Sequence, residues 1–192
     1  PMAALGRGTG MSLRLSGGRK LLSPPGDIAR PTASRVRLAV MNMLAAELPG
    51  AHWLDLFCGS AVMGCEALLR GAAQVVAVEQ DRRVGATARS NLELVASSLQ
   101  PKPSVQVIQQ EAIRWLGSAQ GESFDLVYAD PPYAAGLYGA LLERLAAGDW
   151  LHPQALVLLE HATKNPPEIP AGWVVEKQKH YGSCGLLVLA RS

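Results

Sequence analysis

Apolar residues in this chain gather in short runs that alternate with stretches of helical period, and the alternation repeats along most of its length. Runs rich in Val, Leu and Ile predict strands over 52–57, 74–79, 104–109, 124–129 and 155–160. Between them, apolar positions three and four apart predict helices over 61–70, 82–95, 111–117 and 137–146. Ser60 is placed to cap the first of these, and Gly71 to end it. Strand and helix in strict alternation give a parallel sheet covered on both faces, an α/β fold. Two further runs, 173–179 and 185–189, are joined by His180-Tyr181-Gly182-Ser183-Cys184 and predict a closing pair of strands.

The first third reads differently. Leu13-Arg14-Leu15-Ser16 and Lys20-Leu21-Leu22 flank Gly17-Gly18, a small hairpin, and Pro24-Pro25-Gly26 breaks the chain after it. A helix is expected over 33–48, with Thr32 as its cap and Pro49-Gly50 as its stop. Val36, Val40, Met43, Leu44 and Leu48 make its apolar stripe, which leaves Arg35 and Arg37 on other faces.

Composition narrows the class. A chain of 192 residues, 48% hydrophobic, is a single globular domain. It has no bilayer-length apolar stretch and no export signal, so a cytoplasmic location without membrane contact is expected. Cys58, Cys65 and Cys184 form no Cys-x-x-Cys and have no accompanying His pair, so they read as buried reduced thiols and no metal is expected. The formal charge of +2 hides an asymmetry. Residues 1–38 hold seven cations against Asp27 alone, a local +6, which leaves −4 for the rest. An acidic body with a basic head is suited to a polyanion.

Asp130-Pro131-Pro132-Tyr133 follows the apolar run 124–129. Two prolines end the strand, because neither has an N–H for the ladder, and their fixed φ leaves a stiff corner of bare carbonyls. Asp130 adds a carboxylate and Tyr133 a flat ring. A corner of acceptors with a stacking surface fits a planar group bearing an NH2, such as a nucleobase amine.

Upstream, strand 52–57 runs into Gly59-Ser60-Ala61-Val62-Met63-Gly64 and a helix, a βαβ turn. Glu79 ends the next strand about twenty residues beyond Gly59, the spacing at which an acid receives ribose hydroxyls. A dinucleotide fits poorly, since Ala61 stands where a second glycine would let backbone approach a pyrophosphate. S-adenosylmethionine (SAM) has the ribose and no phosphate, and Asp55 could hold one of its polar ends.

Leu54-Asp55-Leu56-Phe57-Cys58-Gly59-Ser60 followed by Asp130-Pro131-Pro132-Tyr133 resembles a class I SAM-dependent methyltransferase of the amino-methylating type. Arg30-Pro31-Thr32 with Arg35-Val36-Arg37, Glu66-Ala67-Leu68 through Arg70-Gly71-Ala72, and Leu159-Glu160-His161 are similar to one bacterial family. Its members methylate the N2 amine of a guanine in small-subunit (16S) ribosomal RNA. The likeness runs from about Leu13 to the C-terminus; Ala61 and Glu111 depart from the family's usual Gly and Asp.

The resemblance implies a Rossmann-like sheet of seven strands in the order 3-2-1-4-5-7-6, ending in an antiparallel hairpin. It implies a methyltransferase domain over 32–192 behind a basic, RNA-contacting extension over 1–31. It assigns Asp130, Pro131, Pro132 and Tyr133 to the reacting corner, with Asp130 and the Pro131 carbonyl as acceptors for the amine and Tyr133 stacking on the base. Cofactor binding falls to Asp55, Phe57, Gly59, Ser60, Ala61, Glu79, Gln80, Glu111 and Ala112. Substrate binding falls to Arg14, Arg19, Lys20, Arg30, Thr32, Arg35 and Arg37. SAM is the implied cofactor and ribosomal RNA the implied partner, acting on a monomeric enzyme. Free RNA and an assembled subunit both stay open as substrate. DNA adenine methylation, and a SAM- or RNA-binding module without activity, are the alternatives.

Overall fold

A computed structural model describes residues 13–23, 34–118, 122–132 and 136–192. Within them the elements run α1 Ser34–Met43, β1 His52–Leu56, α2 Val62–Leu69, β2 Gln74–Glu79, α3 Arg82–Ala96 and β3 Ser104–Gln109. They continue α4 Ala112–Ser118, β4 Phe124–Ala129, α5 Tyr138–Ala147, β5 Leu151–Ala162, β6 Trp173–Tyr181 and β7 Cys184–Arg191. The seven strands form one sheet in the order β3-β2-β1-β4-β5-β7-β6, the order the resemblance implied. Strands β1 to β5 pair in parallel and β7 pairs antiparallel with both β5 and β6. No helix among the described residues is long and apolar enough to cross a membrane.

Alternating side chains divide the core into two layers. Trp53, Val75, Ala77, Leu126 and Leu158 point to one face, where α1, α2 and α3 cover them. Leu54, Val76, Val78, Val127 and Leu159 point to the other, against α4 and α5. The continuous apolar runs of the sequence reflect this burial on both sides.

The expected hairpin exists as a single antiparallel bridge between Arg14 and Lys20, closed by Leu15 N–H to Arg19 O at 2.8 Å. Leu13, Leu15 and Leu21 sink into the same apolar cluster as α1. The backbone of Leu22 exchanges hydrogen bonds with the side chain of Asn91 on α3 at 2.9 and 3.0 Å.

Helix ends differ from the sequence reading in two places. Helix α1 stops at Met43 rather than 48 and gives way to turns with i→i+3 bonds such as Glu47 N–H to Leu44 O at 3.0 Å, and Pro49 keeps helix from resuming at Leu48. Ser60 does not cap α2; Ala61 occupies the cap position in the left-handed region, with no side-chain bond. Gly71 does end α2, at φ +97°, with Ala72 N–H reaching Ala67 O and Gly71 N–H reaching Leu68 O, both at 3.1 Å.

Candidate active site

Strands β1, β2 and β4 deliver their carboxyl ends to one edge of the sheet. Register places Leu56 beside Val78 and Ala129, so the turn after β1 lies next to both Glu79 and the Asp130 corner. This is the crevice of an open α/β sheet, where the chain leaves β1 for β2 on one side and β4 lies on the other.

The β1–α2 turn is tightly wound. Phe57, Gly59 and Ala61 all have positive φ, 55°, 55° and 61°, and Cys58 N–H is tied to Val78 O at 3.0 Å. The left-handed conformation at Ala61 gives a physical reason for a glycine there, since an L side chain costs about 1–2 kcal/mol in that region. The Ala61 methyl is fully buried in the cluster under α2. Behind the turn, Gly64 lets α2 approach the sheet: a Cβ there would lie 2.9 Å from Val75 Cγ1 and 3.4 Å from Asp55 Oδ2.

Asp55 is buried beneath this turn, and Gly64 N–H donates to its Oδ2 at 3.2 Å. Burial holds its carboxyl well above the ordinary range, the Gly64 bond opposes that, and the charges of Glu79 and Asp130 add to it. Glu79 is half-buried at the end of β2 and accepts from Asp81 N–H at 3.0 Å, beside the exposed Gln80. Glu111 turns onto its own helix: its two oxygens accept from Ile113 N–H at 2.9 Å and Arg114 N–H at 2.8 Å. Ala112 is buried. Ser60 is buried too, its carbonyl accepting from Asn91 Nδ2 at 3.0 Å.

Pro131 is buried and Pro132 exposed, while Tyr133 lies outside the described residues. Burial first, and then the charge of Glu160, raise the Asp130 carboxyl to about 8. Glu160 is the site residue that the sequence reading left without a role. It is buried on β5, takes a hydrogen bond from Tyr128 Oη and another from Cys184 Sγ at 3.2 Å, and its carbonyl accepts from Tyr138 Oη at 2.7 Å. The signal was a lone acid at the end of the apolar run 155–159. Cys184 itself is pushed up to about 12, by burial and then by Glu160, and burial also raises Cys58 and Cys65, so all three thiols stay protonated.

Beyond Tyr138 an open groove of about 820 Å³ runs between the start of α5 and the loop 165–170, lined by Tyr138, Gly139, Asn165, Pro166 and Ile169. It adjoins the same sheet edge as Asp130.

The basic residues do not all reach this edge. Arg35 is exposed, and its Nη2 lies 3.4 Å from where a Cβ would stand on Gly182, in the β6–β7 turn beside the carboxyl end of β5. Arg14 and Lys20 are exposed on the hairpin, and Arg14 Nη1 donates to Gly18 O at 3.1 Å. Arg19 donates to Ser98 Oγ at 2.7 Å, just past the far end of α3. Fifteen residues of helix, roughly 22 Å, separate that point from Glu79. Arg37 corrects the expectation of a substrate contact. It is buried, donates from Nη2 to Arg14 O, and its Nε lies 3.8 Å from the wholly buried Glu66. Glu66 also accepts Ser16 N–H at 2.8 Å and pairs with Arg70 at 2.5 Å. The hydrophobic spacing of α1 could not reveal this, because an internal anion draws the guanidinium inwards. Arg30 and Thr32 lie outside the described residues.

The charges of Glu79 and Asp130 act on the buried Asp55, and that of Glu160 on Asp130, so this crowding of acids favours a ligand carrying positive charge and opposes a pyrophosphate. The donor set therefore fits SAM, with its sulfonium and ammonium, and does not fit a dinucleotide.

The model of a family described as "Conserved hypothetical protein 95" matches residues 15–190. Ribosomal RNA small subunit methyltransferase D of Escherichia coli strain K12 is 34% identical over 166 residues, covering 86% of this chain and 81% of that protein. The protein of the same name from Haemophilus influenzae is 32% identical, covering 86% and 84%. A solved structure of yhhF from Escherichia coli has a TM-score of 0.79 at 33% identity, covering 94% of this chain and 98% of that one.

Proposed function

The chain belongs to the family described as conserved hypothetical protein 95, and from that membership we propose that it methylates the N2 amine of a guanine in 16S ribosomal RNA. It is a methyltransferase, and its methyl donor is SAM. The observation that carries the reading is the adjacency of two corners. The glycine turn after β1 and the Asp130-Pro131-Pro132 corner after β4 open into one acidic crevice.

When bound, SAM supplies an electrophilic methyl group on a sulfonium. The turn 57–61, braced from beneath by Asp55 through Gly64 N–H, would hold its amino-acid end, and Glu79 with Gln80 would hold the ribose side. Glu111 acts by fixing the start of α4, which sets Ala112 against the adenine. A guanine taken out of its stack enters the groove beside Tyr138, with Tyr133 stacking on it. Asp130 and the Pro131 carbonyl accept the two amine hydrogens, which draws the nitrogen lone pair out of conjugation. Asp130 then favours the positive charge that develops on that nitrogen and takes the surplus proton. Burial first, and then the charge of Glu160, keep the Asp130 carboxylate basic enough for that transfer.

Arg35 at the crevice rim and the basic extension over 1–31 contact the phosphates of the RNA. The substrate is an assembled small subunit presenting one exposed guanine, and the enzyme acts as a monomer in a bacterial cytoplasm.

Incubation with methyl-labelled SAM and either naked 16S RNA or assembled small subunits, followed by nucleoside digestion, tests this. N2-methylguanosine should be the labelled product, and Asp130→Ala should lose about 10²–10³-fold in turnover while still binding SAM. Label in another nucleoside, or full turnover by Asp130→Ala, would reject the assignment.

A further inference from the structure

Three potential ligands meet at the opposite end of the sheet, on the three adjacent strands β1, β4 and β5. His52 opens β1, Asp125 is second in β4, and His152 is second in β5. One ligand atom from each lies within 4.8 Å of the others. We propose that His52, Asp125 and His152 bind one borderline transition-metal dication, of which zinc is the representative, at the amino edge of the sheet.

The backbone builds this cluster in two ways. The pairing of β4 with β5 jumps from Phe124–Leu151 to Leu126–Leu156, so β5 bulges over 152–155 while β4 spans the gap with Asp125 alone. Such a bulge re-aims a side chain, and here it turns His152 towards its neighbours. The carboxylate of Asp125 is also held in place: its Oδ2 accepts from His52 N–H at 2.8 Å. The remaining oxygen, Oδ1, lies 3.9 Å from His152 Nε2, and the two imidazole rings stand 6.3 Å apart at 57°.

A separation of 3.9 Å is too long for a direct hydrogen bond between Asp125 and His152. It is close to what a shared ion requires. Ligands at about 2.0–2.1 Å from a tetrahedral zinc stand roughly 3.4 Å apart, so this pair closes by about half an ångström and the pairs with His52 by at most about 1.4 Å. Asp125 and His152 are both about four-tenths exposed, so their side chains have room for that adjustment. Two imidazoles and one carboxylate select zinc, nickel or copper over magnesium or calcium, which prefer oxygen alone. One coordination position stays open to water. Gln74, the register partner of His52, holds the Glu122 carboxylate at 2.6 Å nearby, adding negative charge to the same edge.

The site lies a strand's length, about 17 Å, from the crevice. The ion would pin the amino ends of three strands whose carboxyl ends frame the crevice, so its readout is affinity and thermal stability.

The test uses tag-free full-length protein, competition against a chromophoric zinc chelator, and melting with added zinc. Wild type should take up one equivalent and melt higher with zinc, while the same concentration of magnesium should change neither. His52→Ala/His152→Ala should lose the uptake and the shift but keep the metal-free melting curve and methyl transfer. His152→Gln alone, at an exposed position, should lose at least about tenfold in affinity and guards against misfolding of the double variant. No uptake by wild type would overturn the proposal. So would uptake that survives the double variant or disappears in Cys184→Ser, and so would an equal response to magnesium.

Discussion

Asp130 sits in the crevice at a cost to the folded state. Its carboxyl is raised to about 8 by burial and by Glu160, against about 3.9 in an unfolded chain. Between those values the folded protein binds the proton that the unfolded chain releases, so this group removes stability progressively as pH rises from about 4 to 8. Asp130→Asn should therefore raise the melting temperature at pH 9 and leave it nearly unchanged at pH 4; equal shifts at both would contradict the account. The same pair sets the pH profile. If transfer needs the Asp130 carboxylate, kcat/KM climbs with pH through a midpoint near 8 and levels off above it. Glu160→Gln removes the neighbouring charge and should move that climb to lower pH. A variant profile that overlies the wild-type one would separate Glu160 from the reaction.

At this scale the sequence was legible where a residue is constrained by its own chain neighbours. The Asp130 corner follows from two prolines, and the left-handed turn at 57–61 from the glycine beside it. The partners of Glu160 were hidden because they come from β4, α5 and β7, and no local pattern records who faces whom across a sheet.

Helix α2 shows what an element contributes beyond carrying residues. Its start is pressed onto the sheet through Gly64, and its middle carries the buried Glu66 that joins Arg37 of α1, Arg70 and the backbone of Ser16 in the hairpin. Gly64→Ala should cost about 1–3 kcal/mol by overpacking against Val75 and Asp55, measured by denaturant unfolding. Glu66→Gln should destabilise the fold measurably, since it removes the buried negative charge that Arg37 and Arg70 share. Trypsin should then cleave at Arg14, Arg19 or Lys20 in the loosened hairpin well before wild type is cut. Unchanged stability and cleavage would mean that Arg37 finds another anchor. The periodicity of 61–70 located α2 to within a residue at each end. Nothing in it distinguished Glu66 from a solvated acid, because an i,i+4 Glu–Arg pair reads the same on a surface as under a hairpin.

For the whole molecule, the alternating runs of strand and helix were enough for the α/β class, and the crossover order came from family likeness. The charge asymmetry pointed at a basic head, yet Arg37 is consumed internally and Arg19 is docked on α3. The proposed phosphate contact would therefore fall more heavily on Arg35 than an even count of arginines suggests. Arg35→Glu should lower RNA affinity and flatten its dependence on salt by about one unit of slope, while Arg19→Glu should change the slope less. Equal effects would restore the whole head to the RNA surface.

The crowding of acids in the cleft, where Glu79 and Asp130 bear on Asp55 and Glu160 on Asp130, also bears on the sequence of events in a catalytic cycle. A strand of phosphates nearing the empty cleft meets like charge, whereas the same strand nearing a cleft filled by a cation meets much less. Cofactor should thus enter before RNA, and isothermal titrations should find RNA held more tightly by the SAM-loaded protein than by the bare one. Once the methyl group has moved, the donor's sulfur is neutral and the old repulsion returns, so the event that completes the chemistry also loosens the grip on the product.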